Sequence, residues 1–210
     1  WSSWRDRPLY TQAGDLVTDR SIQPEQYGDF LIGVFEEWVR HDVGTMFVMN
    51  FEWALTQWLG EPSPVCIFSR QCGRAVALEH DGSVFACDHY VYPEYKLGNV
   101  RDDELGAMVE RSVAAGFGPH KEATLPRYCQ RCEVKQACWG GCPKHRFAVT
   151  PDGEPGLHYL CAGYKKFFRH IRKYLRAMTT LIENDLPVSL VKQAVDGPLI
   201  VTRKESTPLP

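Results

Sequence analysis

Apolar residues recur at intervals of three and four from Pro24 onward. Tyr27, Phe30, Leu31, Val34, Phe35, Trp38 and Val39 mark one stripe, with Glu36, Glu37 and Arg40 off it. That period predicts an amphipathic helix that begins at Pro24, where a fixed φ suits the first turn, and stops near Gly44. Thr45 to Met49 is a short apolar run with β-branched and aromatic members and reads as a buried strand. A second helix, about Phe51 to Leu59, ends at Gly60 with Pro62 beyond it. Helix, strand and helix at this density look like the last units of an α/β layered domain.

Asp81-Gly82 is a preferred two-residue turn, so the chain between Arg74 and Cys87 reads as a hairpin. With His80 and Ser83 flanking the turn, Val76, Leu78, Phe85 and Cys87 share one face, and alternation sends Asp88 to the other. Asp102 is placed to cap a helix that runs to about Ala115 along Leu105, Met108, Val109 and Val113, with Gly116 or Gly118 as its stop. After Cys161 comes the longest period, Tyr164, Phe167, Phe168, Ile171, Tyr174, Leu175, Met178, Leu181 and Ile182. Its apolar face should build a core. The opposite face carries Lys165, Lys166, Arg169, Arg172, Lys173 and Arg176, most simply a solvated surface, with docking of an acidic partner as the alternative. Residues 1–22 have little periodicity and read as loop, and residues 186–210, which close in STPLP, as a disordered tail.

Composition removes several classes. The chain has 210 residues, a hydrophobic fraction of 44% and a net charge of -2. It can bury a core, yet it has no excess of basic residues to neutralise phosphates, so neither a nucleic-acid nor a membrane partner is expected. No apolar run approaches the roughly 20 residues needed to span a bilayer. No signal-peptide pattern is visible, and a cytoplasmic location follows as the expectation. The first residue is Trp1, so the chain is expected to be a processed or partial one.

The chemistry lies in eight cysteines. Cys129, Cys132, Cys138 and Cys142 follow C-x2-C-x5-C-x3-C, and Cys66, Cys72, Cys87 and Cys161 flank them. A C-x2-C turn brings two sulfurs to one centre without closing on itself, which favours thiolate-bound metal or clusters over disulfides in a chain of this length. Eight thiols divide into two four-ligand sites. Gly140-Gly141 lets the backbone bend against a bulky inorganic core. In two-cluster ferredoxins the cysteine before a proline ligates the other cluster, and Cys142 precedes Pro143, so Cys142 is a candidate for the same crossover. Two four-cysteine zinc sites would use the same thiolates. The seven histidines do not pair at metal-ligand spacing and read as structural or surface residues. No P-loop, G-x-G-x-x-G after a strand, H-E-x-x-H or G-x-S-x-G is present.

The ordered set Cys72, Gly82, Cys87, the four-thiol loop and Cys161, with Cys66 as the eighth thiol, resembles the SPASM module that follows the barrel in some radical S-adenosylmethionine enzymes. The segments YGDFLIGVFEEWVRHDVG, LEHDGSVFACDHYV, LGNV, CWGGCPKHRF and YLCAGYKKFF are similar to those of the anaerobic sulfatase-maturating enzymes, and the likeness runs from about residue 20 to about residue 180. The resemblance implies an α/β remnant of a partial (β/α) barrel over residues 1–64 and a loop-rich α+β SPASM domain, with a hairpin and a long C-terminal helix, over residues 65–185. It implies that Cys66, Cys72, Cys87 and Cys142 hold one 4Fe-4S cluster, and Cys129, Cys132, Cys138 and Cys161 a second. Full thiolate ligation suits electron transfer or support, since no iron is left open for substrate.

The same resemblance makes Asp88 the base that takes the thiol or hydroxyl proton while a cysteine or serine of a sulfatase is oxidised to Cα-formylglycine. A 5'-deoxyadenosyl radical would remove the Cβ hydrogen, and the remaining electron would pass to a cluster. Ferredoxin or flavodoxin would serve as electron donor. S-adenosylmethionine and a third 4Fe-4S cluster would belong to a missing amino-terminal part, because the family's C-x3-C-x2-C is absent here. The chain alone is therefore expected to be inactive. Other readings are a stand-alone iron-sulfur electron-transfer or peptide-binding module, a maturase of another peptide, and a zinc-stabilised binding domain.

Overall fold

The structure, a computed structural model, describes residues 17, 20–195 and 197. The expectations for residues 1–16 and 198–210 lie outside it. The chain mixes helix and short strand and divides into two compact units, one of residues 23–63 and 162–210, the other of residues 1–22 and 64–161.

The first of these is built on helices whose stripes were legible. Pro24–Glu37 is α-helical, and Gln26 bonds back to the Gln23 N–H at 3.1 Å. The helix does not end there. Trp38–Asp42 continues it as a π-turn, and the Val43 N–H reaches the Trp38 carbonyl at 3.0 Å before Gly44, at φ +83°, breaks the chain direction. Met49–Trp58 forms the second helix and Gly60, at φ +86°, follows it. The long helix is Cys161–Glu183, and its apolar stripe from Tyr164 to Leu181 is buried as expected. Phe35 is enclosed by Phe51 and Tyr174, at ring-centroid distances of 5.0 and 5.4 Å.

The strand expected at Thr45 to Met49 does not form. The Thr45 and Met46 N–H groups both turn back to the Asp42 carbonyl, and the Met46 carbonyl accepts from Trp38 Nε1 at 2.8 Å. These groups are used locally and none is left for a ladder. Met46, Phe47 and Met49 are exposed rather than buried. Where a tail was expected, Val188–Ala194 is a 3-10 helix with Val191 fully buried. One apolar anchor in contact with a core is enough to order a segment with no period of its own.

Two features of this unit carry predictions. A Cβ on Gly163 would lie 2.1 Å from the Pro24 carbonyl oxygen and 3.0 Å from the Gly28 nitrogen. Both obstacles are backbone, which cannot swing aside, so Gly163→Ala is expected to destabilise the chain by about 1–3 kcal/mol or more, read by urea denaturation.

Glu36 Oε1 meets His170 Nε2 at 2.6 Å and accepts from the Tyr174 hydroxyl at 3.0 Å, while Oε2 accepts from Arg40 at 3.0 Å. Burial pushes this carboxyl up, but the bonds from His170, Tyr174 and Arg40 outweigh it and hold Glu36 below its ordinary value. A depressed carboxyl stabilises the fold above its unfolded pKa, and that contribution is lost as pH falls through the folded one. The melting temperature should therefore drop more steeply below about pH 5 in the wild type than in Glu36→Gln. Equal slopes would show that this carboxylate is not linked to stability.

The other unit carries all eight cysteines, Cys129 and Cys138 in one-turn helices, Cys161 at the start of the long helix and the rest in loops and turns. Three short strands, β1 (Ala77–Leu78), β2 (Ser83–Phe85) and β3 (Lys96–Asn99), form an antiparallel sheet in sequence order. Ala77 pairs with Phe85 and Leu78 with Val84. Glu79 then lies across from Ser83, bonding its carbonyl at 2.8 Å, so the turn has three residues with Gly82 at φ +86° instead of two. The one-residue difference reassigns the faces. Val84 and Ala86, not Phe85 and Cys87, enter the core with Tyr90, Leu97, Met108 and Phe117, and Leu78 is exposed. The following helix, Leu105–Ala114, is capped by Glu104 rather than Asp102, its carboxylate accepting from the Gly106 and Ala107 N–H groups, and Gly116 at φ +95° ends it.

A thiol-lined candidate site for iron-sulfur clusters

Cys66, Cys72, Cys87 and Cys142, spread over most of this unit's sequence, line one cavity of about 260 Å³ together with Asp88, His89, Tyr90 and Phe117. Burial raises three of the thiols, Cys72 to about 11, Cys87 to about 12 and Cys142 upward. All three are therefore protonated near neutrality unless something takes the proton's place, as a metal centre does. Among the described residues, no three Cys, His, Asp or Glu side chains converge closely enough to hold a single metal ion. The four thiols stand around a volume, not a point.

The four thiols of the loop fall into two places. Cys132 and Cys138 lie near enough to Cys129 to raise it, Cys132 likewise acts on Cys138, and burial lifts Cys129 to about 12. Cys142 leaves them and joins the cavity. The physical cause is a left-handed turn: Trp139, Gly140 and Gly141 all have positive φ, at 46, 69 and 60°. Glycine tolerates this conformation, and here it separates Cys138 from Cys142 in direction. Cys161 stands at the first residue of the long helix, its N–H on the His158 carbonyl at 3.0 Å.

Asp88 is not on the face opposite Cys87. The strand ends at Phe85, and Asp88–Tyr90 turns at once into a 3-10 helix with Cys87 at its N-cap. The Cys87 thiol donates to Asp88 Oδ1 at 3.1 Å, and the His89 N–H donates to the same oxygen at 3.0 Å. The thiol bond is the largest influence holding the Asp88 carboxyl below its ordinary value. That proton is absent once Cys87 carries metal. Asp88 is exposed to solvent yet lines the thiol cavity, so the thiols and an exposed carboxylate lie side by side.

Three residues escaped the sequence reading. His89 Nδ1 sits 3.1 Å from Cys142 Sγ. Lys121 is fully buried and donates to the carbonyls of Cys66, Ile67 and Ser69 at 2.5, 3.0 and 2.5 Å. Arg146 is 3% exposed and gathers the carbonyls of Trp139, Gly140 and Lys121 at 2.8, 2.9 and 2.8 Å. Arg146 lies in the recognised segment CWGGCPKHRF, which offered one hint; nothing marked Lys121.

Four thiols around one cavity with a carboxylate at its rim, and further thiols grouped in the loop beyond, make a donor set of the kind that holds thiolate-bound metal clusters. Residues 66–133 match the SPASM family, an iron-sulfur cluster-binding domain. Over 87% of its length the chain is 43% identical to the serine-type anaerobic sulfatase-maturating enzyme of Bacteroides thetaiotaomicron, of which it covers 44%. It is 37% identical to the serine-type enzyme of Klebsiella pneumoniae over 81% of the chain and 41% of that protein. The cysteine-type enzyme of Clostridium perfringens is 29% identical over 78% of the chain and 44% of that protein. The solved structure of native anSMEcpe with bound AdoMet and Cp18Cys peptide superposes with a TM-score of 0.68 at 29% identity, covering 83% of this chain and 48% of that one. The chain is thus similar over most of its length to the anaerobic sulfatase-maturating enzymes, its residues 66–133 match an iron-sulfur cluster-binding family, and it spans less than half the length of these relatives.

Proposed function

We propose that this chain is the auxiliary-cluster portion of a radical S-adenosylmethionine maturase that oxidises a sulfatase side chain to Cα-formylglycine. The observation that carries the reading is the convergence of Cys66, Cys72, Cys87 and Cys142 on one cavity that also presents Asp88. A polynuclear 4Fe-4S cluster has the bulk to occupy such a space, and the spread of the thiols around it speaks against a single zinc ion. Cys129, Cys132 and Cys138, with Cys161 as fourth ligand, would hold the second cluster. Bound there, the clusters would supply one-electron chemistry, while S-adenosylmethionine and a third cluster on a C-x3-C-x2-C segment, which this sequence lacks, would supply the radical.

What this chain contributes is placement. Cys87 and Asp88 are adjacent in sequence and in contact, so a base within hydrogen-bond reach of a substrate hydroxyl or thiol is held beside the thiol cavity. The substrate would be a sulfatase peptide, and the higher identities to serine-type relatives weight it toward serine. Residues 1–64 would be the end of the barrel, ferredoxin or flavodoxin would be the electron donor, and the cytoplasm, where thiols stay reduced, would be the compartment. Among the described residues no helix is long and apolar enough to cross a membrane.

Iron, sulfide and zinc analysis of chain purified and reconstituted without oxygen tests the reading. About eight irons and eight sulfides per chain, with a broad absorption band near roughly 400 nm, are expected for two such clusters. About two zincs and a colourless protein would overturn it.

A further inference from the structure

Lys121 and Arg146 are two buried cations next to each other: the Lys121 carbonyl itself accepts from the Arg146 guanidinium at 2.8 Å. Burying a cation is costly, and a second one of the same sign close by adds repulsion. The three protons of the Lys121 ammonium all go to backbone carbonyls, which are dipoles and carry no compensating charge. The groups of opposite potential sign that face it are thiols of both sets, Cys72 and Cys66 from one and Cys138 from the other. Arg146 likewise faces Cys72, Cys129 and Cys142. A neutral thiol does not balance a cation. Thiolates around an iron-sulfur core do, because such a centre is net negative.

The same two side chains also shape the ligand loops. Lys121 ties the carbonyls of Cys66, Ile67 and Ser69 into one turn, and Arg146 ties those of Trp139 and Gly140, so the carbonyls point toward the cations. Each set of thiols is therefore backed by a carbonyl-lined cation.

Building on the two-cluster reading, we propose that Lys121 and Arg146 form a shared cationic spacer that supplies the counter-charge for both clusters and raises both reduction potentials. Added positive charge beside a cluster favours its reduced, more negative form. An acceptor for an electron released during substrate oxidation benefits from that shift.

The test is a redox titration of both clusters by electron paramagnetic resonance on the reconstituted full chain, comparing wild type with Lys121→Met, Lys121→Gln and Arg146→Lys. Lys121→Gln keeps amide donors for the carbonyls but removes the charge; Arg146→Lys keeps a charge but gives up donors. The expected result is a lower potential for both clusters in both Lys121 variants. At the wild-type midpoint, the reduced-to-oxidised ratio should fall on the order of tenfold, which for a one-electron couple is about 59 mV. Arg146→Lys should stay within about twofold of wild type, because its charge is retained. Lys121→Gln with full iron and a wild-type midpoint would overturn the proposal and leave Lys121 a structural tie. Should Lys121→Met fail to fold, Lys121→Gln and Arg146→Lys still decide between charge and scaffold. A wild-type chain that takes up no iron would overturn the cluster reading itself, whereas iron-loaded variants with unchanged midpoints overturn the spacer alone.

Discussion

In a complete enzyme containing this chain, Asp88→Asn is expected to lower formylglycine formation by roughly 10²–10⁴-fold, the usual contribution of a positioned general base, while iron and sulfide content stay at wild-type values. Asparagine keeps the shape of the side chain and an oxygen that can still accept the His89 N–H, which in the structure goes to Asp88 Oδ1 at 3.0 Å. What it cannot do is take a proton. The loss should therefore appear in turnover and not in cluster loading, a distinction that matters because Asp88 touches Cys87. Mass spectrometry of a sulfatase-derived peptide carrying serine at the modified position would provide the measurement. Unchanged turnover would remove Asp88 from the chemistry, and a parallel loss of iron would make it a support for Cys87.

Cluster stoichiometry in cysteine variants should reveal the partition of the thiols. Cys72→Ala and Cys138→Ala are each expected to lose about half of the iron, roughly four of eight atoms, since a cluster missing one thiolate has an open iron and is held less well. The decisive comparison uses pairs. Cys72 and Cys142 line the same cavity, so replacing both should cost no more iron than replacing either. Cys138 and Cys142 are only four positions apart in the sequence but belong to different groups of thiols, so replacing both should remove nearly all the iron. A double Cys138/Cys142 variant that kept half would mean that the loop serves one cluster on its own. Because burial has raised Cys72 and Cys87 to about 11 and about 12, their protons must leave when metal binds, and loading of the apo chain should be more complete as pH rises toward those values.

The amphipathic periods were informative because a helix buries a stripe of its own sequence. The Pro24 helix, the long helix after Cys161 and the glycine stops at Gly44, Gly60 and Gly116 all follow from local pattern. Errors fell where the answer depended on what a segment meets. Thr45 to Met49 has strand composition but no neighbouring strand, and its backbone groups return to Asp42 and Trp38. The hairpin was legible, but its register was not: Asp81-Gly82 suits a two-residue turn and also a three-residue one with glycine left-handed, and burial of Val84 and Ala86 selected the latter. Val188–Ala194 has no period at all and is ordered by the single buried Val191.

The eight cysteines and their spacing announced thiolate chemistry before any coordinates, because metal-binding residue types and short ligand spacings are properties of the chain itself. The departure of Cys142 from its neighbours was hinted at by Pro143. Its grouping with Cys66, Cys72 and Cys87 was implied by the resemblance, and only the tertiary structure brings these four thiols from separate segments to one cavity. Tertiary structure alone set Asp88 in contact with Cys87, where strand alternation had sent it away, because the chain leaves the sheet at Phe85 and turns within one residue of Cys87. It alone enclosed Lys121 and Arg146 beside the thiols. Sequence determines which groups can ligate, titrate or pack; burial, long-range approach and the field of neighbouring charges arise only when distant segments meet.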